Sequence, residues 1–153
     1  MSSRDSADLR ISSNVSAILS ASTFIRLSRP LFLSRVPAGW PAQSEHYIED
    51  RLDLNSHLMK HPTATFFARV EGDSMVGAGI HDGDLLVVDK AEEAGDGHVV
   101  VARIDDEICI KRLRIIDGGV WLHSENPEYP PIEITSEMEF QVWGRVMYVI
   151  HKP

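Results

Sequence analysis

Ser74 and Lys111 are the two side chains whose types and settings could do chemistry together, and Ala38–Gly39 is a peptide bond on which they could do it. Ser74 stands in Gly72-Asp73-Ser74-Met75, directly after a run that predicts a strand. Glycine two residues before the serine permits a tight backbone path, exposing the hydroxyl and leaving nearby N–H groups free for an oxyanion. Gly-Asp-Ser is also a common loop triplet, so taken alone this residue reads more readily as a plain turn serine.

Lys111 lies in Ile108-Cys109-Ile110-Lys111-Arg112-Leu113. Alternate residues of a strand share a face, so Lys111 points with Cys109, Leu113 and Ile115, while Arg112 and Arg114 point the other way. A lysine on an apolar face either snorkels to water or stays buried. If it stays buried, desolvation penalises the ammonium and lowers its pKa, and a neutral amine can take the proton of a serine hydroxyl. A serine–lysine pair of this kind needs neither histidine nor aspartate.

The candidate substrate bond lies upstream. Val36 to Ser44 holds Pro37, Gly39, Pro41 and small residues, a composition that keeps the chain extended and disfavours helix. Extended chain is the form a peptidase groove binds, as an added strand. Serine, lysine and bond together describe a chain that could cut itself.

Around these residues the sequence predicts a mostly β fold. Thr65 to Val70, Leu85 to Asp89, His98 to Ile104, Glu107 to Ile115, Val120 to His123 and Met138 to Ile150 are β-branched or aromatic runs. Asp82-Gly83-Asp84, Gly95-Asp96-Gly97, Asp105-Asp106 and Asp117-Gly118-Gly119 supply turns between them, and Gly144 marks a bend or bulge. The spacing leaves no room for βαβ crossovers. The result is a compact, twisted antiparallel fold with one short helix, Leu54 to His61, capped by Asp53 and ended by Pro62. The first 35 residues are serine-rich, without lysine or glycine, and predict a mobile arm with at most a short helix between Ile11 and Leu27. Its two early acids and weak amphipathicity argue against an organelle transit peptide, and it lacks the apolar core of a secretory signal.

A length of 153 residues is one ordinary domain. The net charge of −8 is unevenly spread: residues 1–38 carry five arginines against Asp5 and Asp8, whereas residues 39–153 carry ten basic and 21 acidic residues. So acidic a body argues against phosphate-driven nucleic-acid binding by that body. No apolar run approaches the length of a membrane span. The one cysteine, Cys109, sits between isoleucines and reads as a small buried hydrophobe in a chain suited to a reducing cytoplasm. His57 and His61 have the i, i+4 spacing of metal ligands, but lack a third ligand nearby in sequence and read as surface histidines. No cofactor-binding or metal-binding set is expected from spacing.

From Pro30 to the C-terminus, about four-fifths of the chain, the sequence resembles the UmuD-like members of the LexA-type self-cleaving serine peptidases. The residues that carry this are Pro30-Leu31-Phe32, Asp53-Leu54-Asn55, His61-Pro62, Gly72-Asp73-Ser74-Met75, Gly79-Ile80 and Asp82-Gly83-Asp84-Leu85-Leu86-Val87-Val88-Asp89. Lys111 lies 37 residues after Ser74, and Ala38 lies 36 before it, spacings similar to the family's. The resemblance implies Ser74 as nucleophile, Lys111 as general base, Ala38–Gly39 as the bond cut, and oxyanion donors from the backbone of Ser74 and a neighbour. It divides the chain into an arm, 1–38, and a peptidase and dimerisation domain, 39–153. It further implies a homodimer, activation by a RecA–single-stranded-DNA filament, and a UmuC-like Y-family translesion polymerase as partner in the bacterial DNA-damage response. Pro37 before the scissile alanine departs from the pattern, as does an arm longer at its start. Nothing resembles a helix-turn-helix, so sequence-specific DNA binding is not expected. Two other readings share the fold: a non-catalytic binding module, and a phage-type self-cleaving regulator.

Overall fold

Strand runs separated by Asp- and Gly-containing turns fold as an antiparallel sheet, because each two-residue turn returns the chain beside the strand it has just left. The computed structural model describes residues 10–11, 15–20, 28–32, 36, 38–39 and 49–153. In chain order the elements are β1 (Arg10–Ile11), β2 (Val15–Ser20), β3 (Ser28–Phe32), β4 (Glu49–Asp53), α1 (Leu54–Leu58), β5 (Thr65–Val70), β6 (Leu85–Asp89), β7 (Val99–Ile104), β8 (Glu107–Ile116), β9 (Gly119–His123), β10 (Ile132–Glu133) and β11 (Phe140–Ile150). The large sheet runs β10-β9-β8-β7-β11-β6-β5-β2, with β1 added in parallel to β8, while β3 and β4 form a separate antiparallel pair.

The fold class expected from the sequence is observed. Four local expectations change. Val15–Ser20 is a strand paired with β5, not part of a short helix, because its apolar residues find the open edge of the sheet, where Val15 is fully buried. The helix ends at Leu58 rather than His61, since Met59 turns extended and buries its side chain. Asp53 makes no side-chain cap to the helix backbone and instead accepts a hydrogen bond from Ser56 Oγ at 2.8 Å. Pro62 opens a 3-10 turn, Pro62–Ala64, after the helix has already stopped.

Two apolar clusters hold the sheet. One gathers Phe66, Val70, Met75, Ile80, Leu86, Val88, Val101 and Ile110; the other gathers Val100, Ala102, Cys109, Leu113 and Leu122. Alternation along β8 divides its residues between them, Ile108 and Ile110 in the first and Cys109 and Leu113 in the second. The Asp117-Gly118 turn has both residues at positive φ, 50° and 76°, which is the two-residue hairpin geometry that sets a register without offset. Arg112 therefore pairs with His123, Leu113 with Leu122 and Ile115 with Val120. At Gly144 the β11–β7 pairing shifts register, the bulge its sequence position suggested. A Cβ there would lie 2.7 Å from Val88 Cγ1 and 3.0 Å from the Asp89 carbonyl oxygen, so glycine is what lets β11 lie this close to β6.

Candidate active site

Lys111 occupies the face its alternation predicts. It pairs with Val100 across β7, between the buried Cys109 and Leu113, and only 9% of it is exposed. Burial pushes its pKa below the ordinary lysine value, against a smaller opposing influence of Cys109. Burial also pushes the Cys109 thiol up to about 11, so it stays a neutral thiol at neutral pH, as its isoleucine neighbours suggested. The Lys111 ammonium or amine does not snorkel. Its Nζ donates to Ser124 Oγ at 2.6 Å and lies 5.6 Å from the centre of the Tyr129 ring.

Ser74 is buried as well, with 4% exposure, in the turn between β5 and the 3-10 segment Val76–Ala78. Gly72 has φ 88°, a backbone state that L side chains rarely adopt, so the glycine two residues before the serine is required by the turn. The Gly72 N–H donates to Asp82 Oδ1 at 2.8 Å, tying the turn to the Asp82-Gly83-Asp84 hairpin. Asp73, next to Ser74, is held from the other side: Tyr129 Oη donates to its carboxylate at 2.7 Å, and Asn126 Nδ2 donates to its carbonyl at 3.0 Å.

One loop, 124–129, thus reaches Lys111 and the residue before Ser74. It supplies Ser124 and Tyr129 to Lys111, and Asn126 and Tyr129 to the residue before Ser74. Its own position is fixed by the Gly77 N–H donating to the Glu125 carbonyl at 2.8 Å and by an ion pair between Arg112 and the Glu125 carboxylate. A Cβ on Gly77 would lie 2.6 Å from that carbonyl oxygen, so the loop lies against bare backbone.

Sequence reading missed Ser124, Asn126 and Tyr129. For Ser124 a signal existed: one residue beyond the Arg112–His123 pair, the β8–β9 register sets Ser124 opposite Lys111. The tight Asp117-Gly118 turn carries that register in the sequence itself.

Ala38 and Gly39 lie in an exposed bend outside every described strand, and no atom beyond their chain neighbours comes within 4 Å of where a Gly39 Cβ would stand. Pro37 and Pro41, expected to keep this stretch extended, lie outside the described residues. The expected surface pair His57 and His61 separates: His57 tilts against the Tyr148 ring at 5.7 Å, while His61 Nδ1 lies 2.7 Å from Asp89 Oδ2. No described helix is long and apolar enough to cross a membrane.

An antiparallel sheet that buries a lysine on one strand and a serine in a turn has the makings of a serine-type peptidase. The chain belongs to the S24-like peptidase family, whose model matches residues 30–147. Protein SamA of Salmonella typhimurium strain LT2 is 43% identical over 128 residues, covering 84% of this chain and 89% of SamA. Protein ImpA of Escherichia coli is 41% identical over 130 residues, 81% of this chain and 84% of ImpA. LexA repressor 1 of Pseudomonas putida strain KT2440 is 43% identical over 121 residues, which are 78% of this chain but 59% of the repressor. The chain is a UmuD-like member of the family, as its motifs implied.

Proposed function

We propose that this chain is a serine–lysine autoprotease that hydrolyses its own Ala38–Gly39 bond, separating an arm, 1–38, from a body, 39–153. The observation that carries the reading is Lys111: a lysine kept from water on an apolar face, with its pKa lowered by burial, inside a chain of the S24-like peptidase family. In the proposed reaction, neutral Lys111 takes the Ser74 hydroxyl proton as Ser74 Oγ bonds to the Ala38 carbonyl carbon. The proton then passes to the departing Gly39 amine as the peptide bond breaks, and water hydrolyses the Ala38 ester that remains. Backbone N–H groups of Ser74 and a neighbour stabilise the oxyanion.

Ser124 positions the base. A neutral amine has two hydrogens and one lone pair, and a hydrogen donated to Ser124 Oγ restricts where the lone pair can point. The exposed setting of Ala38–Gly39 means that cutting requires the segment to be carried into the site. An activator that favours the engaged conformation would then control the rate. The RecA–single-stranded-DNA filament is the proposed activator. The proposed product is a cytoplasmic homodimer that serves a UmuC-like Y-family polymerase in mutagenic repair after DNA damage. The similarity to SamA, ImpA and LexA supports this role.

The test is to incubate the pure chain between pH 7 and pH 10 and follow its intact mass. Cleavage after Ala38 that accelerates with pH, and that Ser74→Ala abolishes, supports the reading. A chain that stays whole at every pH, with and without RecA filament, would leave a non-catalytic binding module as the better account.

A further inference from the structure

His81, Asp84 and His151 come from a turn and from the chain's C-terminal end, 70 residues apart in sequence, yet one ligand atom from each lies within 4.8 Å of the other two. Asp84 is the fixed centre of the group. Its carboxylate is 2% exposed, and one oxygen accepts the His81 backbone N–H at 2.8 Å. Burial works against its ionisation, but that N–H, the His151 imidazole and the His81 imidazole outweigh it and hold its pKa below the usual carboxylate value. The two imidazoles close over it from the solvent side, each about half exposed, with ring centres 5.1 Å apart. His151 Nδ1 lies 2.6 Å from Asp84 Oδ1, and His81 Nδ1 lies 3.8 Å from Asp84 Oδ2.

We propose that His81, Asp84 and His151 form a binding site for a divalent zinc-type cation, a three-ligand site with its remaining position open to water. Two imidazoles and one carboxylate suit a borderline metal such as Zn²⁺, whereas Mg²⁺ and Ca²⁺ prefer all-oxygen sets. Bonds of about 2.0–2.1 Å at tetrahedral angles place ligand atoms about 3.3 Å apart. With Asp84 Oδ1 as ligand, the His151 contact would open by under 1 Å, and the His81 imidazole, already within the 4.8 Å cluster, would swing in, movements within reach of half-exposed imidazoles on an anchored carboxylate. In the metal-bound form His151 Nδ1 faces the cation and the ring hydrogen stands on the other nitrogen. The Asp84 carboxylate keeps its backbone donor, the kind of outer-shell bond that orients a metal ligand.

The contrast with His61, Asp89 and Glu92 sharpens the choice. Those groups also converge, but Lys60 Nζ sits 2.6 Å from Glu92 Oε1, and Asp89 Oδ1 already accepts the N–H groups of Ala91 and Glu92. A cation is in place there. Among the described residues, the ion pairs of Asp84 are with histidines. Metal at this site would clamp the C-terminal end to the 81–84 turn, whose Asp82 holds Gly72 of the Ser74 turn.

The experiment is isothermal titration of the untagged full-length chain with Zn²⁺, together with Co²⁺ absorption as a report of coordination. One-to-one binding is expected, with intense Co²⁺ bands and a thermal midpoint that rises with Zn²⁺ concentration. His81→Ala and His151→Ala, both at surface positions, should each weaken Zn²⁺ at least about a hundredfold, since even outer-shell losses cost 10–100-fold. His123→Ala and His61→Ala should leave it unchanged. Equal weak binding by all variants, or binding lost only in His61→Ala, would overturn the site. The readout does not involve cleavage, so it stands or falls apart from the proposed peptidase activity.

Discussion

Lys111 Nζ and Ser124 Oγ are hydrogen-bonded at 2.6 Å across the β8–β9 pair, at the first position beyond the last ladder pair. The strand hairpin therefore supplies both the buried lysine, the proposed base, and the hydroxyl that its amine donates to, and the arrangement is as fixed as the hairpin's register.

Ser124→Ala is predicted to lower the cleavage rate on the high-pH plateau, where Lys111 is already neutral, by roughly 10- to 100-fold through misorientation. Ser124→Thr keeps the hydroxyl and should restore most of it. The thermal midpoint should move little in either variant. An unchanged plateau in Ser124→Ala would show that the hydroxyl does not position the base.

The pH dependence follows from the direction of the Lys111 shift. Its folded pKa lies below the ordinary 10.5, so between the two values the unfolded chain binds more protons. The lysine's contribution to stability therefore rises with pH across that window, and cleavage should rise with an inflection below 10.5. Lys111→Met is expected to abolish cleavage and to flatten the pH slope of the urea midpoint in the same window. A slope equal to that of the unsubstituted protein would contradict the buried, deprotonating lysine.

Gly77→Ala places a methyl carbon 2.6 Å from the Glu125 carbonyl oxygen and must push the 124–129 loop outward. Overpacking of this kind costs about 1–3 kcal/mol. Since the loop holds Ser124 and Tyr129, cleavage should fall along with stability, and urea denaturation measured beside the cleavage rate checks both.

Gly144→Ala meets Val88 Cγ1 and the Asp89 carbonyl instead, far along β11 at its bulge. A loss of about 1–3 kcal/mol is expected, read as a lower urea midpoint. Because the groups nearest this site belong to β6, cleavage by the folded fraction should persist. That outcome separates general destabilisation from the specific effect at Gly77.

The sequence by itself determined six strands, β5 to β9 and β11, the turns between them and the apolar face on which Lys111 lies. Those are local properties: β-branched runs, positive-φ Asp-Gly pairs and two-residue alternation carry them within a few residues. Even Ser124 was implicit there, since the Asp117-Gly118 turn sets the register that lays it against Lys111. Tertiary structure alone decided the rest. Val15–Ser20 became a strand because the edge of β5 was there to pair with it. The helix stopped at Leu58 because burial drew Met59 into extended chain. Tyr129 and Asn126 reach Asp73 across more than 50 residues, and His151 reaches Asp84 across 67. No periodicity encodes such contacts, because they depend on where the curled sheet returns each loop rather than on what lies beside it in the chain.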